Sequence, residues 1–299
     1  MQNRKRVIAL GFFDGVHTAH NALLCRAAER AEELGAIPAA ITFDRFPKAM
    51  IRSGPTPLLN TPEDRTWLMR KYCGIQEVAV LEFDQALMEL PWDKFVTDIL
   101  VKQYGGVHVV AGHDYRFGYK GQGDPEKLKA LCAELGMGCD IIEKIELEGV
   151  TVSSTHIRSL IEAGDMEEAC RFLGHPHVLS GRVVKGQQVG RTIGIPTANL
   201  TIPDGVITPA YGVYATRVIT QSGVYAAVTN VGVRPTVDDG RGVTVEPWIL
   251  DFDGDLYGQT VVVEFYKHLR GERKFASLDE LKQEIEHNAD QTRAYFEAI

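Results

Sequence analysis

The sequence predicts an α/β fold followed by a small antiparallel β fold, because its hydrophobic pattern changes near residue 178. Before this point, short apolar runs alternate with helical segments of ten or more residues, which is typical of βαβ units around a parallel sheet. After it, short β-branched runs separated by Gly, Pro and Asp are typical of a small antiparallel barrel or sandwich. With 299 residues available, we expect two domains, 1–178 and 179–299.

Strands and helices are expected to alternate through the first half. The expected strands are 7–13, 37–43, 77–81, 107–111 and 140–145. The expected helices are 21–34, 62–72, 92–104 and 125–135, with a closing pair at 155–163 and 166–173. Ligands of parallel sheets bind beyond the carboxyl ends of the strands. Since polar motifs follow the strands that begin at 7, 37 and 107, we expect a ligand site at that edge of the sheet.

The second half has a period-two pattern and one terminal helix. Its expected strands are 178–185, 212–220, 223–230, 244–252 and 260–269. Ser277 and Glu280 form a capping-box pattern, and the apolar residues Leu281, Ile285 and Tyr295 follow it. The sequence therefore predicts a final helix that begins after Ser277.

Composition excludes several classes of protein. The net charge is −8, and neither half is basic (20 Lys and Arg against 25 Asp and Glu up to residue 178, then 12 against 15), which argues against a general nucleic-acid binder. The five cysteines are odd in number and lack a C-x-x-C, so reduced thiols are expected. No apolar stretch approaches the roughly 18 residues of a membrane span, and no secretory signal is visible. We expect a cytoplasmic protein without a membrane partner.

The most informative motif joins the first strand to the first helix and reads GFFDGVHTAH over residues 11–20. A helix N-terminus attracts phosphate through its unpaired N–H groups. His17 and His20 add side-chain donors at the same place, while Gly11 and Gly15 let the backbone approach a ligand closely. The alternative is an ordinary strand-to-helix turn. The Gly and Asp context favours the phosphate site.

Three further segments of the first half carry polar groups. They are residues 42–47 with Asp44, residues 112–124 with Asp114 and Arg116, and residues 152–158 with Ser154, Thr155 and Arg158. A serine at 153 or 154 is, taken alone, a plain helix N-cap. Together with a helix N-terminus and an arginine one turn later, these hydroxyls also make a suitable phosphate clamp.

The chemical signal of the second half is a glycine-rich segment followed by Pro-Thr-Ala-Asn. Its glycines at 186, 190 and 194 would let the backbone wrap a phosphate chain. Thr197 and Asn199 stand two apart in an extended segment, point the same way and offer neutral oxygen ligands to a Mg²⁺–nucleotide. An ordinary turn between strands is an equally good interpretation of the composition alone.

The order of the N-terminal motifs resembles the Rossmann-like nucleotidyltransferase domain of the prokaryotic FAD synthetases. The Pro-Thr-Ala-Asn segment closely resembles that of riboflavin kinases. This second resemblance continues through residues 230–236, 245–252, 255–258 and 269–275, and so covers nearly all of 180–299. Together the two resemblances imply a bifunctional enzyme, with a riboflavin kinase-like barrel that makes FMN from riboflavin and ATP, and an N-terminal domain that adenylylates FMN to FAD with release of pyrophosphate.

The resemblance also implies roles for individual residues. Glu246 would be the general base of the kinase, with Mg²⁺ held by Thr197 and Asn199. His17, His20 and Arg158 would stabilise charge during adenylyl transfer. The expected nucleotide-binding residues are Gly11, Phe12, Asp14, Ser154, Thr155, Gly186, Gly190, Arg191 and Gly194. The expected flavin-binding residues are Asp44, Asp114 and Arg116.

The chain departs from the family pattern at three places. Ala19 stands where the first motif has Gly, Arg45 and Phe46 replace a Pro-His pair, and Pro247-Trp248 replaces Thr-His after Glu246. Two alternatives follow from these departures. The N-terminal half could be a degenerate or regulatory nucleotide-binding module beside an active kinase, or it could adenylylate another phosphate-bearing acceptor.

Overall fold

The computed structural model describes residues 4–45, 56–186, 190, 194–233 and 242–299. The chain divides into two compact units, Met1–Thr56 with Pro62–Ser153, and Pro57–Thr61 with Ser154–Ile299. The helices after residue 153 thus belong to the second unit when the chain is divided by its internal contacts. The expected domain boundary at residue 178 stays a prediction. Within the described ranges, no helix is both long and apolar enough to span a bilayer.

The first unit is built on a five-stranded parallel sheet, which confirms the α/β prediction. Its strands are β1 (Arg6–Leu10), β2 (Ile37–Phe43), β3 (Glu77–Leu81), β4 (Gly106–Gly112) and β5 (Gly138–Ile142), in the order β3-β2-β1-β4-β5. All four neighbouring pairs are parallel. The strand order reverses between β1 and β4, and in such sheets ligands bind at this switch point.

Helices cover the sheet and bury its central strand. They are α1 (Thr18–Leu34), α2 (Pro62–Cys73), α3 (Gln85–Glu89), α4 (Trp92–Lys94) with its π-helical continuation Phe95–Gln103, and α5 (Pro125–Glu134). A short hairpin follows, made of β6 (Glu146–Leu147) and β7 (Val150–Thr151). Every residue of β1 is buried, as expected for a strand covered on both faces.

Two N-terminal expectations need correction. The first strand ends at Leu10 and not at 13, because Phe13 takes a positive φ of 56° that breaks the extended backbone. The expected single helix over 92–104 is mostly π-helical, with wider turns than the 3.6-residue pattern assumes. The short helix α3 was not expected, since five residues carry too little periodicity to detect.

The second unit is a closed antiparallel barrel, which decides between the barrel and sandwich alternatives. Two helices precede it, α6 (Ser154–Ala163) and α7 (Met166–Leu173). The strands are β8 (His177–Arg182), β9 (Leu200–Thr201), β10 (Gly212–Thr220), β11 (Gly223–Val233), β12 (Val243–Ile249) and β13 (Thr260–Arg270), in the order β8-β13-β10-β11-β12-β9. An antiparallel bridge between Val184 and Asn199 joins the two ends of this sheet.

The terminal helix α8 (Leu278–Glu297) packs against the barrel. Ala289 joins Val213, Val228 and Leu250 in one apolar cluster. The capping prediction is confirmed, because Ser277 Oγ accepts a hydrogen bond from the Glu280 N–H at 3.1 Å. The burial of this apolar face, more than helix propensity, holds the helix in place.

His177 makes the stability of the second unit depend on pH. It is 1% exposed, its Nε2 has no hydrogen-bond partner among the described residues, and its ring lies 5.9 Å from that of Phe265. Burial, with a smaller contribution from His175, lowers the pKa of His177 to about 3. In the unfolded chain the histidine pKa is about 6.5, so between these values only the unfolded state binds the proton and stability falls as pH falls.

We expect the wild-type unfolding free energy to drop by about 2 kcal/mol between pH 7.5 and pH 5 through this residue. His177→Phe fills the same space without a titrating group. Its unfolding free energy should therefore fall by about 2 kcal/mol less than that of the wild type over the same pH interval. Urea unfolding followed by circular dichroism at the two pH values measures the difference. Equal losses in both proteins would mean that His177 does not carry the effect.

Candidate active sites

Polar residues gather at the carboxyl edge of the parallel sheet, as the sequence predicts. The turn of residues 11–17 follows β1, Asp44 follows β2, and Asp114 and Arg116 follow β4. These three strands are adjacent in the sheet, with β1 in the middle. Their motifs therefore share one edge of the first unit.

The turn after β1 has an unusual backbone. Phe13 and Val16 both adopt positive φ values, 56° and 45°, with Gly15 between them at 83°. A positive φ is costly for branched or bulky residues and persists only where the surroundings enforce it. Gly11 is also constrained, because a Cβ there would lie 2.9 Å from the Phe13 ring. The sequence motif thus encodes a strained turn that presents the start of α1.

His17 caps helix α1 and so has a defined tautomer. It is the N-cap residue, and its Nδ1 accepts a hydrogen bond from the His20 N–H at 3.3 Å. A neutral imidazole that accepts at one nitrogen carries its proton on the other. The Nε2 of His17 is therefore a hydrogen-bond donor at the N-terminus of the helix.

His20 stacks on His17, with ring centroids 3.6 Å apart and the planes within 11°. Burial, then the neighbouring His17 and Arg65, lower the pKa of His20 well below its usual value, so His20 is uncharged at neutral pH. The buried Nδ1 of His20 has no hydrogen-bond partner in the described part of the chain. An unsatisfied buried nitrogen beside a helix N-terminus suits a polar ligand.

The candidate flavin-binding residues of the first unit differ in exposure. Asp44 is partly buried, and although this opposes ionisation, hydrogen bonds from the Phe83 N–H and from Arg45 lower its pKa. Asp114 and Arg116 are exposed, and Arg116 donates to the Tyr115 carbonyl at 3.1 Å. Phe46 lies outside the described residues.

Ser154, Thr155 and Arg158 open helix α6 and belong to the second compact unit. The Arg158 Nε donates to the Pro57 carbonyl at 2.7 Å, within that unit. The serine at 153 directly precedes the helix, at the N-cap position, and Ser154 is the first helical residue. That these groups meet the histidine pair stays a prediction.

In the barrel, the register of the strands places Asn199 and Glu246 opposite each other. Leu200 and Thr201 pair with Val245 and Thr244, and the Ala198 N–H donates to the Pro247 carbonyl at 2.9 Å. Continuing this register by one residue places Asn199 opposite Glu246. On the other side of β12, Asn230 pairs with Glu246. Directly opposite residues share one face of a sheet, with Cβ atoms about 5 Å apart.

These three side chains define the amide–carboxylate row: Asn199, Glu246 and Asn230. Glu246 is half-buried and accepts a hydrogen bond from Thr244 Oγ1 at 3.2 Å. Asn230 was not among the expected site residues, and the signal that could have found it is its place in the family-like segment 230–236. Sequence alone does not show which residues of different strands stand opposite each other.

Pro247 shortens the pairing between β12 and β9. In an antiparallel ladder, a residue that accepts from its opposite neighbour normally donates back to it. Proline has no N–H, so Pro247 accepts from Ala198 but returns no bond. The segment that carries Thr197 is therefore held to β12 by fewer hydrogen bonds than a regular strand would be.

The glycine-rich segment reaches this row from β8. A Cβ on Gly186 would lie 2.5 Å from the Asn199 amide oxygen, so a larger residue there would displace the Asn199 side chain. The Ile195 N–H donates to the Gly190 carbonyl at 2.8 Å, and Gly194 has a φ of 80°. Arg191 lies outside the described residues.

The oxygen atoms near the row fit a hard cation better than a soft one. Thr197 supplies a hydroxyl, and the Asn199 Nδ2 donates to the Thr197 carbonyl at 3.4 Å, which leaves its Oδ1 as the acceptor. Neutral oxygens and one carboxylate are ligands typical of Mg²⁺ sites that include nucleotide phosphates. The described residues contain no group of three His, Cys, Asp or Glu side chains that could hold a metal by themselves.

Sequence reasoning also missed Arg65, which lies behind the turn that follows β1. It occupies the same buried face of α2 as Leu68, Met69 and Cys73. A basic residue at an apolar position of a helix is the signal that could have found it.

These two units define a class: a Rossmann-like nucleotide-binding sheet joined in one chain to a six-stranded barrel. Comparisons with known proteins agree. Residues 1–156 match the family model described as FAD synthetase, and residues 173–296 match the one described as riboflavin kinase. A solved structure titled a macrolide-efflux protein from Streptococcus pneumoniae shares the whole fold, with a TM-score of 0.82, 31% identity and coverage of 98% of this chain and 95% of that chain.

Curated relatives identify the family. Proteins from Pseudomonas fluorescens and Listeria monocytogenes, each named bifunctional riboflavin kinase/FMN adenylyltransferase, are 37% and 34% identical, with 97% of this chain and 92% of each relative covered. The chain belongs to the family of bifunctional riboflavin kinase/FMN adenylyltransferases. It is a two-domain transferase that uses ATP to make FMN from riboflavin and FAD from FMN.

Proposed function

We propose that the amide–carboxylate row is the reaction centre of the riboflavin kinase. Glu246 is the general base that takes the proton of the ribityl hydroxyl as that oxygen attacks the γ-phosphate of ATP, the bond between the γ-phosphate and the β-phosphate oxygen breaks, and ADP leaves. The observation that supports this assignment is the register of β9, β12 and β11, which flanks one half-buried carboxylate with two amides. Thr244 orients the carboxylate through its 3.2 Å hydrogen bond.

Phosphoryl transfer depends mainly on positioning and charge neutralisation. Thr197 and Asn199 would hold Mg²⁺, which neutralises charge on the phosphates when bound. Gly186, Gly190 and Gly194, with Arg191, would lie along the phosphate chain of ATP, because glycine lets backbone N–H groups approach it.

The carboxyl edge of the parallel sheet is the proposed site of FMN adenylylation. The FMN phosphate attacks the α-phosphate of ATP, the bond to the β-phosphate breaks, and pyrophosphate leaves. No protein base is needed, because the attacking oxygen is already anionic. His17 donates from Nε2 and His20 from its imidazole to the phosphates, beside the N-terminus of α1, so that developing charge is stabilised.

The remaining predicted residues have supporting roles in this proposal. Gly11, Phe12 and Asp14 form the turn that approaches the nucleotide, and Asp44, Asp114 and Arg116 contact the flavin. Ser154, Thr155 and Arg158 complete the phosphate contacts. All five cysteines are unpaired, which suits the reducing, ATP-containing cytoplasm in which we propose that the enzyme works.

One assay tests whether the protein catalyses both reactions. The protein is incubated with ATP and Mg²⁺ and either riboflavin or FMN, and the flavins are separated by chromatography. We expect FMN and FAD from riboflavin, and FAD from FMN, with both reactions lost when the cation is removed by EDTA. FAD formation that survives EDTA would contradict the proposed cation requirement, and FMN as the sole product would contradict the adenylylation site.

A further inference from the structure

Arg65 is a completely buried cation directly behind the turn of residues 11–17. It is 0% exposed and extends from α2 to the ends of β1 and β2. Its Nη1 donates to the Phe12 carbonyl and, at 3.1 Å, to Thr42 Oγ1. Its Nη2 donates to the Phe43 carbonyl at 3.3 Å. One side chain thus connects the turn that follows β1 to the last two residues of β2.

The guanidinium also packs on the Phe12 ring, with its Cζ 4.2 Å from the ring centroid. Thr42 Oγ1 donates to the same Phe12 carbonyl at 2.8 Å. Phe12 is therefore held at both its backbone and its side chain. Phe12 directly precedes Phe13, the first of the residues with positive φ, and a strained turn needs this kind of external support.

Among the described residues, the hydrogen-bond acceptors of Arg65 are uncharged oxygens, and no carboxylate there contacts it directly. Burial lowers the pKa of Arg65 to about 10, against the longer-range influence of Asp14, Glu63 and Asp44, and the group stays protonated at pH 7. Burying a charge costs several kcal/mol. An apolar residue of similar size would avoid this cost at a helix position that otherwise faces the core.

We propose that Arg65 is a positioning residue of the FMN adenylyltransferase, which holds the turn between β1 and α1 so that the His17–His20 pair meets the ATP phosphates. The proposal rests on the proposed role of that histidine pair. Arginine suits the task because its planar fork donates to several acceptors at fixed angles, whereas lysine offers one compact charge. The positive charge also helps to keep the neighbouring His20 neutral.

Two variants separate the geometry of Arg65 from its charge. Arg65→Met removes both, and we expect the kcat of FMN adenylylation to fall about 100-fold, the loss typical of a reacting group displaced by 1 Å. Arg65→Lys keeps the charge without the fork, and about a tenfold loss of kcat is expected. In both variants the KM for ATP should change less than kcat, because alignment and not binding is lost.

Several readouts make the test decisive. The riboflavin kinase rate of the same protein should stay unchanged, because that reaction is assigned to the second unit, and a melting curve like that of the wild type reports that the first unit, which carries Arg65, is folded. The pKa of His20, measured by NMR titration, should rise in Arg65→Met but not in Arg65→Lys. Arg70→Met, an exposed position on the same helix, is the matched control and should leave both rates unchanged. If Arg65→Met does not fold, the Arg65→Lys result decides.

An unchanged adenylylation rate in a folded Arg65 variant overturns the proposal, and so does a loss confined to KM. The substitution His17→Asn separates the two possible failures. If the His17 variant loses adenylylation and the Arg65 variants do not, only the Arg65 proposal fails. If neither variant loses it, the assignment of the histidine pair fails as well.

Discussion

Glu246→Gln is expected to reduce FMN formation from riboflavin about 1,000-fold, within the range measured for loss of a general base. Glutamine keeps the size and one acceptor oxygen of the side chain but cannot take the ribityl proton. FMN-to-FAD conversion by the same protein should be unchanged, because that reaction is assigned to the first unit. Chromatography of flavins after incubation with riboflavin or with FMN measures the two activities separately.

Glu286→Gln is the control for this substitution. It lies on the exposed side of α8, away from the strands of the barrel, and should leave both activities as in the wild type. Loss of both activities in Glu246→Gln with a normal melting curve would mean that the assignment of reactions to units is wrong. Full FMN formation would mean that the base is another residue.

His17→Asn is expected to lower FMN adenylylation about 100-fold, the lower end for loss of one donor to a developing charge. Asparagine is as good an N-cap as any residue, so helix α1 keeps its first hydrogen bond while the Nε2 donor is lost. No stability should therefore be lost through the helix cap. Riboflavin phosphorylation should not change.

The comparison with His17→Ala shows whether the imidazole or the cap matters. Alanine removes both, so it should have the same low rate and an additional loss of about 1 kcal/mol in unfolding free energy. His287→Asn, at an exposed position of α8, should have no effect on either activity. A full adenylylation rate in His17→Asn would exclude the imidazole as a phosphate donor.

The two proposed sites use different geometric means to gather their residues. In the parallel sheet, strand ends meet at one edge, so residues separated by some 100 positions become neighbours when each follows a strand. In the barrel, the row forms across strand faces, where neighbours depend on register. This difference determines how far each site can be anticipated from sequence.

The sequence was sufficient to predict the shared edge of the parallel sheet. The alternation of strands and helices predicts a parallel sheet, and the positions of Asp44, Asp114 and His17 after strands then predict a common edge. The stacking of His20 on His17 could not be anticipated, because it depends on side-chain torsions within the turn. Nor could the link from Arg65 to Phe12, which joins positions 53 residues apart.

The barrel site could be anticipated only as a set of motifs. Each motif indicated its own chemistry, but the opposition of Asn199 and Glu246 follows from the pairing of β9 with β12. One residue of slip would move Glu246 to the other face of the sheet. Pro247 also reduces the number of hydrogen bonds between β9 and β12. This effect can be recognised only when the residue opposite Pro247, Ala198, is known from the structure.

The sequence by itself determined the two fold types, the edge at which His17 lies and the family resemblance, because periodicity and turn residues are local properties of the chain. Tertiary structure decided the closure of the barrel at Val184 and Asn199, the row around Glu246 and the burial of Arg65. These depend on contacts between distant segments, whose energies appear only when the chain has folded. The strained turn after β1 belongs partly to each group. Its glycines can be identified in the sequence, but the contacts that hold the turn come from Arg65 of helix α2, which only the tertiary structure shows.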